Sequence, residues 1–545
     1  MSIPSHARRV SSLLIPFLAA LPGLPAQQME RISVSSTGAQ SDQGSERAEI
    51  ARDGRFIAFQ SKASTLVSGD FNFLDDIFLR DLDLGTTELI SVSLTGGFGN
   101  GACDRPTISA DGRYVAFASD SSNLVANDFN INRDVFRRDR LLGSTILISK
   151  DSGGVQGNGF STRPSISSDG RYVAFRSSAT NFVAVDANGI IDDIYLHDVV
   201  TGVTELISIS TGGVQADGIS DRPSISGDGT RVAYRSDATN LVAGDTNLIR
   251  DVFLRDLTAG TTILVSVSSS GVLSNAESTR PAVSENGEFV VYRSLASNLV
   301  SGDNNLAEDV FRYQIATGTT IRVSVTSTGL EGNGDSSVPY VNADGTMVVF
   351  RSIATNLVSG DTNLNEDVFL HNVSTGATSL ISMSEQGVIG DAGSTNPAIS
   401  GAGDLIGFES GATNLVPNDT NLLQDVFVYT APPPPSVDTI ALVGPTSANP
   451  GDRLTYNWSN APGGSAWWFL YSFNVSGIVY NGHTFDLGPP IAVLGSGTNT
   501  ASGTGTWTSV PLPGSVSGRT VYFEVAASPA AGQFVDSNFI TLVIN

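Results

Sequence analysis

A segment of the form S-x-D-G-R-Y-V-A-F recurs seven times along this 545-residue chain, its turn falling at Asp53, Asp111, Asp169, Asp228, Asn286, Asp344 and Ala402. Each copy runs on into an A-T-N-L-V-like stretch, then D-x-N, then D-V-F. The first Asp of that second motif stands at Asp70, Asp128, Asp186, Asp245, Asp303, Asp361 and Asp419, so the copies lie 58 residues apart with one interval of 59. A period this constant marks a repeat architecture, in which each unit buries its apolar face only by stacking on its neighbours. Any functional surface is then built from equivalent loops.

The fourth copy shows the internal plan. Arg222-Pro-Ser-Ile-Ser226 is short and β-prone, and Gly227-Asp-Gly229 is a tight turn. Arg231 to Ser236 alternates in polarity and predicts a second strand. A polar loop from Asp237 to Arg250 leads to a third strand, Asp251 to Leu257, and a T-A-G-T turn leads to a fourth, Thr262 to Ser268. Four antiparallel strands repeated seven times predict the blades of a seven-bladed β-propeller. A β-solenoid, the alternative, has shorter coils without this hairpin rhythm. The array begins with Glu30-Arg-Ile-Ser-Val-Ser35, which matches the fourth strand of other copies, and the seventh copy stops after its third strand, Asp425 to Tyr429. The first strand of the chain should therefore complete the last blade and leave no exposed edge.

Composition narrows the function. Acidic residues outnumber basic ones 54 to 30, a net charge of −24, which argues against nucleic acid as a partner. A single cysteine, Cys103, excludes an intrachain disulfide. Arg8 and Arg9, an apolar run from Ser12 to Leu21, and Pro22-Gly23 read as an export signal over residues 1–26, which implies a periplasmic, cell-surface or extracellular location. No other run approaches transmembrane length. Residues 431–436, A-P-P-P-P-S, read as a stiff linker. Alternating segments between 437 and 545 suggest a small β-sandwich-like domain.

The residues P-x-I-S-x-D-G-R-Y-V-A-F at Pro106–Phe117 and Pro164–Phe175, with the later D-V-F and T-G, resemble the TolB-type, or WD40-like (PD40), propeller repeat of bacteria over about residues 29–430. The resemblance implies a propeller that engages partner proteins of the cell envelope. This chain departs from the pattern in two ways: Ile or Val replaces the usual Trp two residues after the Pro, and the loop between second and third strands is longer.

That loop reads D-x-N-x-x-x-D in six copies: Asp70-Asn72-Asp76, Asp128-Asn130-Asp134, Asp245-Asn247-Asp251, Asp303-Asn305-Asp309, Asp361-Asn363-Asp367 and Asp419-Asn421-Asp425. The third copy has one extra residue, Asp186-Asn188-Asp193. Carboxylates and an amide oxygen at this spacing suit a hard cation, and these residues are candidate Ca²⁺ ligands. Asx turns and pairing with the arginines at 47, 105, 163, 222 and 280, or 176, 235, 293 and 351, are the competing explanation. Copy seven carries Asn396 and Glu409 in place of arginine, so without a cationic partner it should take Ca²⁺ first. The apolar fourth position of the motif (Phe73, Ile131, Leu248) reads as an anchor into the blade.

Catalysis finds little support. Only four His are present, no G-x-S-x-G elbow occurs, and Cys103 reads as a small loop residue without a local His. His197 and His371 share one repeat position and read as strand-surface residues. The expected function is a monomeric, non-catalytic scaffold that binds a protein or a glycan. The alternatives are a lyase or glycoside hydrolase with acidic residues at the channel mouth, and a structural cell-surface protein.

Overall fold

A computed structural model describes residues 28–431 and, beyond them, the backbone of strands lying between residues 441 and 544. The export signal expected over residues 1–26 and most of the Pro-rich linker lie outside the described residues.

Residues 28–431 form seven four-stranded antiparallel sheets and no helix. In the first blade the strands are Ser45–Ile50, Phe56–Ser61, Asp76–Asp81 and Thr86–Leu89, hydrogen-bonded in chain order. The fourth copy has the same plan with Ser220–Ile225, Arg231–Ser236, Asp251–Asp256 and Thr261–Leu264. The predicted second strand is matched, while the predicted fourth strand is shorter because the chain leaves the sheet after Leu264. The seventh blade is Ser394–Ile399, Leu405–Ser410 and Asp425–Thr430, completed by Gln28–Arg31 from the start of the described chain. Met29 faces Tyr429 and Arg31 faces Phe427 in that closing pair.

The core lies between blades. The second strand delivers Phe59, Phe117, Phe175, Tyr234, Tyr292, Phe350 and Phe408, all fully buried. Each stacks on the facing aromatic of the third strand, from Phe78 to Phe427, with ring centroids 5.8 to 6.0 Å apart. Such a pair adds about 1 kcal/mol beyond its area burial. V-A-F and D-V-F therefore recur because they supply the two halves of one stack per blade.

Two backbone belts tie blade to blade. At the start of each first strand an N–H reaches the residue before the previous blade's third strand, as in Cys103 N to the Asp75 carbonyl at 2.7 Å and Ser45 N to the Gln424 carbonyl at 2.8 Å. At the opposite end of the channel, the turns between first and second strands are laced into a closed circle. Asp53 N donates to Ala110, Ala110 to Ser168, Ser168 to Gly227, Gly227 to Glu285, Asn286 to Ala343, Ala343 to Gly401 and Gly401 to Arg52, at 2.9 to 3.1 Å.

In residues 433–545, a separate compact unit, the strands Ala441–Val443, Thr455–Ser459 and Gly505–Thr508 form one sheet. Ala466–Ser472 pairs with both Ala492–Thr498 and Thr520–Ser528 in a second.

Candidate functional site

The loop between second and third strands leaves the sheet at one end of the propeller, and its final Asp begins the third strand. Asp76, Asp134, Asp193, Asp251, Asp309, Asp367 and Asp425 are all fully buried. In every blade one carboxylate oxygen accepts the hydroxyl of a serine two residues past the fourth strand: Ser91 to Asp76, Ser149 to Asp134, Ser208 to Asp193, Ser266 to Asp251, Ser324 to Asp309, Ser382 to Asp367 and Ser33 to Asp425, at 2.5 to 2.6 Å. The same hydroxyl accepts the next backbone N–H, as Val252 N does to Ser266 at 3.0 Å. These aspartates latch the third strand to the segment that follows the fourth.

The motif asparagine points its amide nitrogen, not its oxygen, at that Asp. Asn72, Asn130, Asn247, Asn305 and Asn421 donate to Asp76, Asp134, Asp251, Asp309 and Asp425 at 2.7 to 3.1 Å, and Asn188 donates to Asp193 at 3.0 Å. The Asn oxygen closes an Asx turn on the N–H two residues on, as Asn363 does for Asn365 at 3.0 Å. It is thereby occupied.

The first Asp of the motif meets a different partner in different blades. In blade seven Arg31 lies 2.8 Å from Asp419 and 3.5 Å from Asp425. In blade five Arg322 lies 3.4 Å from Asp303, 3.1 Å from Asp309 and 2.9 Å from Glu331. Gln156 donates to Asp128 and Asp134 at 2.6 and 3.0 Å, and Gln215 to Asp186 and Asp193 at 3.0 and 2.7 Å. In blades one, four and six the equivalent positions are Leu89 with Phe98, Leu264 with Leu273, and Leu380 with Ile389. Blade six is the extreme: Asp361 Oδ1 and Asp367 Oδ2 are both buried with no hydrogen-bond partner. Burial lifts the carboxyls of Asp76, Asp134, Asp245, Asp303 and Asp367 to about 6.

Three expectations are corrected here. Copy seven does not lack a cation, because the closing strand brings Arg31, which sequence comparison within the copy could not show. The arginines expected to pair with the D-x-N aspartates pair elsewhere: Arg176 with Asp192, Arg293 with Glu308, Arg351 with Glu366 at 2.7 Å, and Arg235 with Asp221 at 2.8 Å. The apolar fourth position is no anchor. Phe73, Ile131, Leu248, Leu306, Leu364 and Leu422 are from 77% to 97% exposed, each with φ of 57 to 59°, in the left-handed region that disfavours a side chain. Ile190 is exposed in blade three as well, where Gly189 takes the positive φ.

The remaining candidates sit in the core. His197 and His371 are buried, not on a strand surface, with Nδ1 2.8 and 2.9 Å from the hydroxyls of Thr204 and Thr378. Burial pushes His197 down to about 4. Cys103 is not a loop residue: it starts the first strand of blade two, fully buried, and its thiol, raised to about 12 by burial, donates to Ser119. Among the described residues no group of three or more His, Cys, Asp or Glu is arranged to hold a metal ion, and no helix is long and apolar enough to cross a membrane.

The arginines at 47, 105, 163, 222 and 280, expected to pair with the D-x-N aspartates, stand instead in the central channel. A cavity of about 220 Å³ is lined by Arg47, Arg105, Arg163, Arg222 and Arg280, with Val338 and Asn396 at the two remaining equivalent positions. The channel is predominantly basic at this level, with Glu49 and Glu285 also in its lining. Arg at the third position of the innermost strand in five of the seven copies, followed by Pro in four of them, was the available signal.

No protein-family model matches the chain, and no curated protein does. Solved structures to which it is similar include TolB from Agrobacterium tumefaciens, at 17% identity and TM-score 0.33 over 55% of this chain and 87% of that one. They include the WD40 repeats of RRP9, at 11% identity and TM-score 0.37 over 75% and 99%. They also include a polysaccharide lyase of the PL25 ulvan lyase family, at 6% identity and TM-score 0.31 over 75% and 95%.

Proposed function

We propose that this chain is an exported, non-catalytic binding scaffold whose contact surface is the face carrying the seven loops between second and third strands. The observation that supports it is the ring of exposed apolar tips, Phe73, Ile131, Ile190, Leu248, Leu306, Leu364 and Leu422. Six of them hold a left-handed backbone that costs roughly 1 kcal/mol or more each. An apolar side chain held in water by a strained backbone gains nothing within the fold, and a partner that covers it recovers the burial energy. Six of the seven tips are aliphatic, which favours a protein partner over a glycan, whose rings stack on aromatic faces.

The triple variant Leu248→Ser, Leu306→Ser, Leu364→Ser tests this. Its unfolding free energy should change by no more than about 0.5 kcal/mol per substitution, since the positions are exposed. Cross-linking in envelope extracts should yield a stoichiometric protein adduct with the parent and lose it with the variant. An adduct unchanged by the variant, or turnover of a polysaccharide by the parent, would overturn the reading.

A calcium ion in blade six belongs to the same proposal. Asp361 and Asp367 present two buried carboxylate oxygens without partners, in the place where blade five puts a guanidinium between its pair. A hard cation there would supply the missing counter-charge. Ca²⁺ should raise the melting temperature of the parent but not of Asp361→Asn/Asp367→Asn; equal shifts in both, or none in the parent, would remove calcium from the account.

A further inference from the structure

The third residue of every innermost strand lies at a β-bulge. The ladder breaks between Asp104 and Thr107, between Asp221 and Ser224, and at the equivalent place in each blade. Arg47, Arg105, Arg163, Arg222, Arg280, Val338 and Asn396 hold φ between 45 and 57° there. A bulge of this kind re-aims a side chain, and here the side chains line the channel. Ser45 and Ser61 pair at the strand ends nearest the D-x-N loops, so the ring lies just inside that mouth.

The charges of this ring are poorly matched. Arg163 lies 3.0 Å from Asp221, and Arg105 lies 3.5 Å from Asp104. Asp221 is also shared with Arg235 at 2.8 Å and Arg176 at 3.6 Å, and Asp104 is held by Arg133 at 2.7 Å. Arg47, Arg222 and Arg280 have no acidic partner within 4.0 Å among the described residues, and Arg222 Nε is buried without any hydrogen-bond acceptor. Two carboxyls also line the cavity. Glu49 accepts the Tyr340 hydroxyl at 2.9 Å and Glu285 accepts that of Ser168 at 2.7 Å, so each already has a neutral donor. Burial, then repulsion from Arg163 and Arg280, holds Arg222 down to about 8. An arginine does not give up its proton in a protein, so crowding of this kind expresses a missing anion. Guanidiniums in a low-dielectric wall bind oxyanions through paired N–H groups.

We propose that the channel binds one compact multivalent oxyanion, held by Arg47, Arg222 and Arg280 with Arg105 and Arg163 closing the ring. Its ligating groups are carboxylate, sulfate or phosphate. Compactness follows from the cavity of about 220 Å³ and from the net charge of −24, which repels a long polyanion approaching the rest of the surface. The positive arc runs over blades one to five. It is interrupted by Val338 and Asn396, whose amide is turned to Glu409 at 3.0 Å, so an uncharged part of the ligand faces blades six and seven.

Calorimetric titration of the full chain at constant ionic strength tests the proposal, with citrate, pyrophosphate and sulfate as probes and polyglutamate and heparin as the polymeric arms. A single saturable site for at least one compact probe is expected, and the preferred probe identifies the ligating group. Arg222→Gln/Arg280→Gln should weaken it about tenfold or more. Melting curves guard against a folding defect. Without the probe the double variant should melt at or above the parent, because an unpaired charge has been removed, and with the probe the order should reverse. No saturable binding, binding that survives the double substitution, a variant that melts below the parent without probe, or tighter binding of the polymers would overturn it. The outcome is independent of whether a protein covers the apolar tips.

Discussion

Arg31 and Arg322 occupy a fourth-strand position that is leucine in the other five copies, Leu89, Leu147, Leu206, Leu264 and Leu380. Each places a guanidinium between two aspartates that are otherwise buried side by side. Removing one member of a buried ion pair leaves the other uncompensated, at a cost of about 3–5 kcal/mol. Arg31→Met should therefore destabilise the chain by about that amount, measured by urea denaturation, while Leu380→Met in blade six should cost under about 1.5 kcal/mol. Equal effects would show that Arg31 acts only through packing. At this scale the sequence was least legible. Phe73 and Leu248 read as anchors because apolar residues are usually buried, and only the positive φ shows that they point outward. Arg31 was missed as a partner of Asp419, 388 residues away, because the closing strand was read for its strand pairing and not for the ion pair its side chain makes.

At the level of the strand and its loop, the buried aspartates of the loop and of the third strand have a pH signature. Burial raises Asp76, Asp134, Asp245, Asp303 and Asp367 to about 6, and Glu49 and Glu409 to about 7. Each binds its proton more tightly folded than unfolded, so between roughly pH 4 and pH 7 the native state holds more protons and stability falls as pH rises. A second set works the other way. The guanidiniums of Arg55 and Arg113 hold Asp81 and Asp139 below the usual carboxylate range, through paired contacts of 2.8 to 3.1 Å. Their contribution is complete above about pH 4 and is lost below it. The melting temperature should accordingly rise from pH 7.5 to about pH 5 and fall again below pH 4; a steady decline across the whole range would contradict these assignments. The elements themselves were readable, because D-G turns and alternating polarity carry local chemistry. The exact end of the fourth strand was not, since Val265 to Ser268 keep the alternation after the chain leaves the sheet.

On the scale of the whole molecule, period, strand count and closure were all legible, because a constant repeat with a displaced fourth strand allows one ring. The grouping of seven equivalent loops on one face was legible, but the bulge that turns five arginines into the channel depends on register between strands. The central claim is that a protein partner docks on the face carrying the D-x-N loops. Hydrogen–deuterium exchange of the chain, free and cross-linked to its captured partner, tests it most directly. Protection should appear in residues 71–75, 129–133, 246–250, 304–308 and 362–366 and be absent from the turns at 53–55, 111–113 and 169–171. Protection confined to those turns would place the partner on the opposite face and contradict the account.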